Sequence, residues 1–344
     1  MQRREFIILS GGAIWITVQN LWADHHLISS DPLIVTFDLG SLRSRYTDAE
    51  DFYVRNHHEI PENSPSASLR IEGEIDKPQQ LMPEDLNQLS QREAGAVLEC
   101  AGDPVSSVGL VSNGLWRGWL LADVLALARP QPTAKYVHLW GRDGYSRSVP
   151  IDRALGDGML VTRLNGRPLP RNHGAPWRAM FPGWYGMDSV KWLERIVVAQ
   201  TPLPPEGNAY LELKKDTAGR IEARSLPRIQ VKSVITSLED RAVLRRGEVE
   251  VRGLAWSGFG RVSTVQLSGN GGASWINATL DTNRGVYDWA LWRASIELQQ
   301  VGPVELVCRA VDATGNTQPA QRDPRRVDFY AYNVYNRVQC VVIP

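Results

Sequence analysis

Between Asn165 and Trp192 the chain gathers most of what could do chemistry. His173, Arg178, Ser189 and Lys191 supply donors and positive charge, with Trp177, Trp184 and Trp192 among them. The run Asn165-Gly-Arg-Pro-Leu-Pro-Arg-Asn-His-Gly-Ala-Pro-Trp-Arg178 is too rich in Gly and Pro for a long helix or a central strand. A rigid loop presenting cations and aromatic faces suits a flat, polar, anionic ligand. An ordinary solvated loop rarely holds so many tryptophans. Cys100 follows the apolar run Ala96-Val-Leu98 and precedes Ala101-Gly102, where the backbone can turn tightly and approach a ligand. A thiolate there suits a soft metal site, and the plainer alternative is a buried small hydrophobe. In Tyr53-Val-Arg-Asn-His57 the Arg55 guanidinium either grips an oxyanion bidentately or stands as an exposed loop charge. The adjacent His57 and His58 are poorly placed to share one ion, and no Cys/His cluster completes a zinc site.

The segment from Leu164 to Arg178, followed by Ser189-Val-Lys-Trp-Leu193, resembles the molybdopterin-binding segment of the sulfite oxidase family. Tyr53-Val-Arg-Asn-His57, Leu98-Glu-Cys-Ala-Gly102 and Trp116-Arg-Gly118 fall in that family's order, so the resemblance covers nearly all of the chain after residue 30. It implies an oxidoreductase with a molybdenum-molybdopterin cofactor. Cys100 then matches the metal ligand, whose coordination removes the thiol proton. Arg55 matches a substrate-pocket arginine, while Tyr53, Asn56 and His57 match cofactor contacts. His173, Arg178 and Lys191 match ring and phosphate contacts, with Ser189 and Val190 contributing main-chain or hydroxyl contacts. Asp143, in Gly141-Arg-Asp-Gly144, matches an acid that accepts from the pterin's amino groups, with an unpaired turn residue as the alternative. Tyr210, aligned across a small gap, matches a tyrosine near the metal that hydrogen-bonds an oxo or substrate oxygen. No Cys-x-x-Cys-His occurs, so electrons are expected to leave singly to a soluble cytochrome c or similar carrier.

The chain also departs from the family pattern. Typical sulfite oxidisers continue Cys-Ala-Gly with Asn and soon an arginine, whereas this chain has Asp103-Pro-Val-Ser-Ser107. Val105 and Asp328 fall where the family places pocket arginines. Losing two cations and gaining two acids should weaken sulfite binding. The readings are therefore oxygen-atom exchange with a small sulfite-like substrate, reduction of S- or N-oxides on the same cofactor, or a non-catalytic binding module.

The elements that must position these residues fit two domains in 344 residues. With 43% hydrophobic and 22% charged residues the chain can bury sizeable cores, and 38 basic against 38 acidic residues leave no footprint for nucleic acid. No Gly-x-Gly-x-x-Gly follows a strand and no P-loop occurs, which argues against a nucleotide cofactor. Residues 1–28 read as a twin-arginine-type signal, with Arg3-Arg4-x-Phe6 ahead of an apolar run, so a periplasmic protein with a cleaved or retained leader is expected. Residues 29–227 form the expected molybdopterin-binding domain of α+β class. Strands are expected over Ser68–Glu74 and Lys135–Leu139, with helices over 82–89 and Leu120–Ala128. Residues 228–344 read as an immunoglobulin-like β-sandwich that mediates a homodimer, with strands near Ile229–Val234, Gly247–Gly253, Val262–Ser268, Tyr287–Trp292, Val304–Val311 and from Phe329. Of the three cysteines, Cys308 is expected to be buried and Cys340 has no assigned role.

Overall fold

Alternating apolar residues dominate the chain, and strands dominate the structure. The computed structural model describes residues 25–62, 68–106, 108–204, 210–281 and 285–344, so the paired arginines near the N-terminus lie outside it. A hairpin, His25–Ser30 with Leu33–Asp38, opens the described chain. The second of these strands also pairs with Val54–Arg55 and Val108–Gly109.

Two five-stranded sheets follow. One runs Ser146–Pro150, Tyr136–Gly141, Leu193–Ala199, Leu69–Gly73 and Gln79–Leu81, with a single parallel pairing between Leu193–Ala199 and Leu69–Gly73. The other runs Arg167–Pro168, Met159–Leu164, Val111–Leu120 and Arg92–Glu99, with Arg178–Met180 added to Met159–Leu164. Leu69, Leu121, Leu139, Phe181 and Ile196 meet in a core beneath them.

Helix is scarce. Among the described residues the α-helices are Leu121–Ala126 and Ile151–Gly156, of six residues each. The helix expected over Leu120–Ala128 is therefore shorter, and the one expected over 82–89 is a single 3-10 turn, Pro83–Leu86. Pro83 and the acids Glu84 and Asp85 start this turn, but an exposed segment this short has too few apolar contacts to propagate it. The unit is built mainly of strands rather than of an even α+β mixture. No described helix is long and apolar enough to cross a membrane.

After Leu226 two sheets face each other. One holds Lys232–Ile235, Gly247–Trp256, Ala290–Leu298 and Thr279–Leu280; the other holds Ala242–Arg245, Asn336–Ile343, Gly302–Asp312, Val262–Ser268 and Ile276–Asn277. Val251 and Trp292 from one sheet meet Val265, Cys308 and Val338 from the other. The strand expected at Tyr287–Trp292 begins instead at Ala290, and the tail forms a strand only from Asn336. All three cysteines are free; Cys308 and Cys340 are buried.

The two parts share a third core. Tyr53, Leu98, Ala101 and Trp116 pack with Ile229, Val234, Leu254, Trp256 and Trp289. The backbone around Cys100 therefore rests on residues from both parts of the chain.

Candidate active site

Each chemically interesting side chain stands where a strand ends or a turn is pinned. Val54–Arg55 pairs with Leu33–Asp38, burying Val54 against the core and turning half-buried Arg55 to the other side. Ser112 Oγ accepts from the Tyr53 amide at 3.1 Å. Cys100 caps the Arg92–Glu99 strand; its amide donates to Leu110 O, and its own carbonyl accepts from the Asp103 amide, both at 2.9 Å. Asp143 sits in the turn joining Tyr136–Gly141 to Ser146–Pro150, where its carboxylate accepts from the Tyr145 amide at 3.1 Å.

The segment from Asn165 to Trp192 is a constrained loop, as its composition requires. Its 3-10 turn Arg171–His173 ends at Gly174, with φ 105°. A Cβ on Gly174 would stand 3.0 Å from Lys191 Cα, so only glycine lets these two stretches approach. The Trp192 indole donates to Arg171 O at 2.7 Å and closes the loop on itself.

Tyr53, Arg55, Asn56, His57, Cys100, Asp143, His173, Arg178, Ser189, Val190, Lys191 and Tyr210 all line one cleft. Half-buried Lys191 extends Nζ to Asn56 Oδ1 and, at 3.2 Å, to Asn172 O. Buried Arg178 donates to His173 O at 3.2 Å. His173 Nε2 lies 3.0 Å from Ala49 O, and because a carbonyl only accepts, that nitrogen carries the proton. Burial, with Lys191 and Arg178 nearby, lowers the His173 pKa to about 3, so the ring is neutral. His57 stacks on Tyr145 at 4.7 Å and meets Tyr210 edge-on, with Tyr210 Oη 2.5 Å from His57 Nε2. Burial, then Arg55, lowers the His57 pKa to about 4. Burial also raises Tyr210, keeping its phenol protonated, and pushes the Cys100 thiol up to about 11.

This donor set fits an anionic, polydentate cofactor. Arg178 Nε and Asn56 Nδ2 are buried without a hydrogen-bond partner. None of the described ion pairs includes Arg55, Arg178 or Lys191, and the carboxylate that acts on Lys191 is Asp143 in the same cleft. Uncompensated buried cations and donors are costly unless an anion meets them. No group of three or more His, Cys, Asp or Glu side chains converges on a metal among the described residues. Cys100 thus suits a metal already carried by sulfur ligands better than a bare ion.

Several residues differ from expectation. Ser189 and Val190 line the cleft, but the Ser189 hydroxyl accepts from the Phe181 amide at 3.1 Å and both main-chain amides bond within the loop. Neither acid expected in the pocket lines this cleft. Asp103 is buried beside Lys232, and Asp328 accepts from Arg326 at 2.7 Å and Arg322 at 3.1 Å. Val105 lines a separate depression with Arg322 and Arg337, because the turn after Gly102 carries it away. The sequence reading missed Tyr145, two residues beyond Asp143, and Met187, whose carbonyl accepts from the Tyr145 hydroxyl at 2.9 Å. It also missed Asp188, which is fully buried and holds Arg147 at 2.8 Å and Arg153 at 2.6 Å, fixing the wall that carries Ser189–Lys191.

The oxidoreductase molybdopterin binding domain family matches residues 57–206, and the Mo-co oxidoreductase dimerisation domain family matches residues 224–343. Sulfite oxidase of Gallus gallus is 33% identical over 311 residues, covering 79% of this chain and 68% of that protein. The mitochondrial sulfite oxidase of Homo sapiens is 32% identical over 338 residues, and this chain spans 61% of its length. The crystal structure of the sulfane dehydrogenase SoxCD from Paracoccus pantotrophus superposes with a TM-score of 0.83 at 26% identity, covering 96% of this chain and 92% of that one. The cleft's donor set, both domain matches and these relatives agree: the chain belongs to the sulfite oxidase family of molybdopterin-dependent oxidoreductases.

Proposed function

We propose that the protein oxidises a small reduced-sulfur compound in this cleft and passes the electrons to an external carrier. The observation that carries this reading is the convergence of a half-buried thiol, three basic side chains outside the described ion pairs and two partnerless buried donors on one cavity. When bound, the molybdenum cofactor supplies two-electron oxygen-atom exchange. Cys100 would ligate its metal, with Arg178, Lys191 and His173 holding its anionic and ring groups and Asp143 accepting from its amino groups. Arg55 would orient the substrate's oxygen atoms through its fork of donors. Neutral His57, stacked on Tyr145, fixes the Tyr210 phenol where it can hydrogen-bond a substrate oxygen. The relatives' names, sulfite oxidase and sulfane dehydrogenase, support a sulfur atom below its highest oxidation state as the reacting atom.

Val105 lines a depression other than the cleft, so whether an arginine there raises sulfite turnover tests how far the substrate site extends. The test is turnover of cofactor-loaded protein with sulfite and with a sulfane-sulfur compound, using cytochrome c or a dye as acceptor. Oxidation of either supports the reading; reduction of S- or N-oxides with neither sulfur compound oxidised overturns it.

Two further parts of the proposal rest on the ends of the chain. The twin-arginine-type segment directs the protein to the periplasm, and replacing Arg3 and Arg4 with lysine should hold it in the cytoplasm. Residues 228–344 act as an immunoglobulin-like unit pairing two copies about a two-fold axis. A monomer by light scattering at micromolar concentration would refute the pairing.

A further inference from the structure

Lys232 is fully buried, and its ammonium meets two carboxylates that flank Cys100. Nζ lies 2.5 Å from Glu99 Oε1 and 3.5 Å from Asp103 Oδ2, and donates to Asp103 O at 3.2 Å. The other Glu99 oxygen accepts from the Trp256 indole at 2.7 Å. Lys232 and Trp256 are register partners on neighbouring strands after Leu226, so both reach Glu99 from the C-terminal part of the chain. Successive strand residues face opposite ways, which sends Cys100 into the cleft and Glu99 toward Lys232. A buried ion cluster is a poor source of stability compared with an apolar core, and its best-attested use is to fix one arrangement over others. Two further bonds tie the same turn to the C-terminal part: the Ala331 amide donates to Ala101 O at 2.8 Å, and Asn336 Nδ2 donates to Val105 O at 3.3 Å.

We propose that Lys232 is a positioning residue: by gripping Glu99 and Asp103 it holds the turn that presents the Cys100 sulfur, so the C-terminal part of the chain sets the geometry of the cleft. The test uses the full-length chain produced without cofactor and reads alkylation of Cys100 by a maleimide. Cys308 and Cys340 are buried, so Cys100 is the thiol that reacts first. Lys232→Met should speed alkylation about tenfold or more by loosening the turn. Glu99→Gln keeps an acceptor for Trp256 but weakens the grip, and should move the rate the same way if Lys232→Met fails to fold. Val265→Ala removes fully buried volume in the distant C-terminal core and should leave the rate within about twofold.

The alkylation readout holds whatever Cys100 binds. In cofactor-loaded protein, which rests on the proposed ligand role, the visible absorption of the sulfur–metal bond should shift and kcat should fall with KM retained. Unchanged alkylation in both Lys232→Met and Glu99→Gln, or equal acceleration in Val265→Ala, overturns the proposal. Accelerated alkylation with unaltered absorption upholds the role of Lys232 and overturns the ligand role of Cys100.

Discussion

Asp188→Asn isolates the brace behind the cofactor-facing wall. The carboxylate is fully buried, with Arg147 Nε at one oxygen and Arg153 at the other. Asparagine keeps one acceptor oxygen for Arg147 but turns an N–H toward Arg153, placing donor against donor. Arg153 Nε already lacks a partner, and its guanidinium rests 3.6 Å from the centre of the Trp184 ring, so it has little freedom to reach water. Breaking a buried charge pair by removing one partner costs about 3–5 kcal/mol, against a total stability of about 5–15 kcal/mol. The low end is expected because Arg147 keeps a bond: about 3 kcal/mol, or about 1 M in urea midpoint. Urea unfolding followed by tryptophan fluorescence reads this directly. Arg153→Met combined with Asp188→Asn should cost clearly less than the sum of the single changes, because the donor clash is gone. A loss below about 1 kcal/mol, or strict additivity, would refute the buried-brace argument.

Cys100→Ser should abolish turnover while leaving the urea midpoint nearly unchanged, since the half-buried thiol has space for the smaller hydroxyl; retained activity would remove Cys100 from the chemistry. Arg55→Gln should lower kcat/KM for an anionic sulfur substrate about 30-fold or more, because removing the partner of a bound anion costs about 2–5 kcal/mol. A modest loss insensitive to salt would point to a neutral substrate. The stability that the two cleft histidines contribute should be lost as pH drops from about 6.5 toward 4, against an opposite contribution from buried Asp103, whose carboxyl burial pushes up to about 7. The His173 and His57 pKa values are lowered in the folded chain, so at these two groups the unfolded state takes up more protons and their contribution rises with pH across that window. Buried His173 contributes at most about 1.4 kcal/mol per pH unit, and the urea midpoint of His173→Gln should rise relative to that of the parent chain as pH falls through this window.

The site was more legible than its supports. Loop chemistry is local: Gly174 and the prolines mark a constrained turn in the sequence itself, and Cys100 follows a strand that its own apolar run declares. Asp188 was invisible because its significance lies in Arg147 and Arg153, which reach it from a separate strand and helix. Val105 and Asp328 misled for the same reason. Alignment assigns a position along the chain, but the turn after Gly102 and the ion pairs of Asp328 decide where the side chain goes. In the C-terminal part, Gly and Asn turns reveal strands, but the approach of Lys232 to Glu99 requires the two parts to be docked.

The excess of basic groups in the cleft bears on the lifetime of the chain before its cofactor arrives. Arg178 and Lys191 repel one another, and burial together with Arg178 lowers the Lys191 pKa well below its ordinary value. An anionic cofactor that binds the folded chain and not the unfolded one adds free energy by mass action, about 4 kcal/mol when present at a thousand times its dissociation constant. Newly made chains would then divide into a protease-sensitive population and a durable one, separated by a single loading event. Limited proteolysis across a cofactor titration should show the first converting into the second.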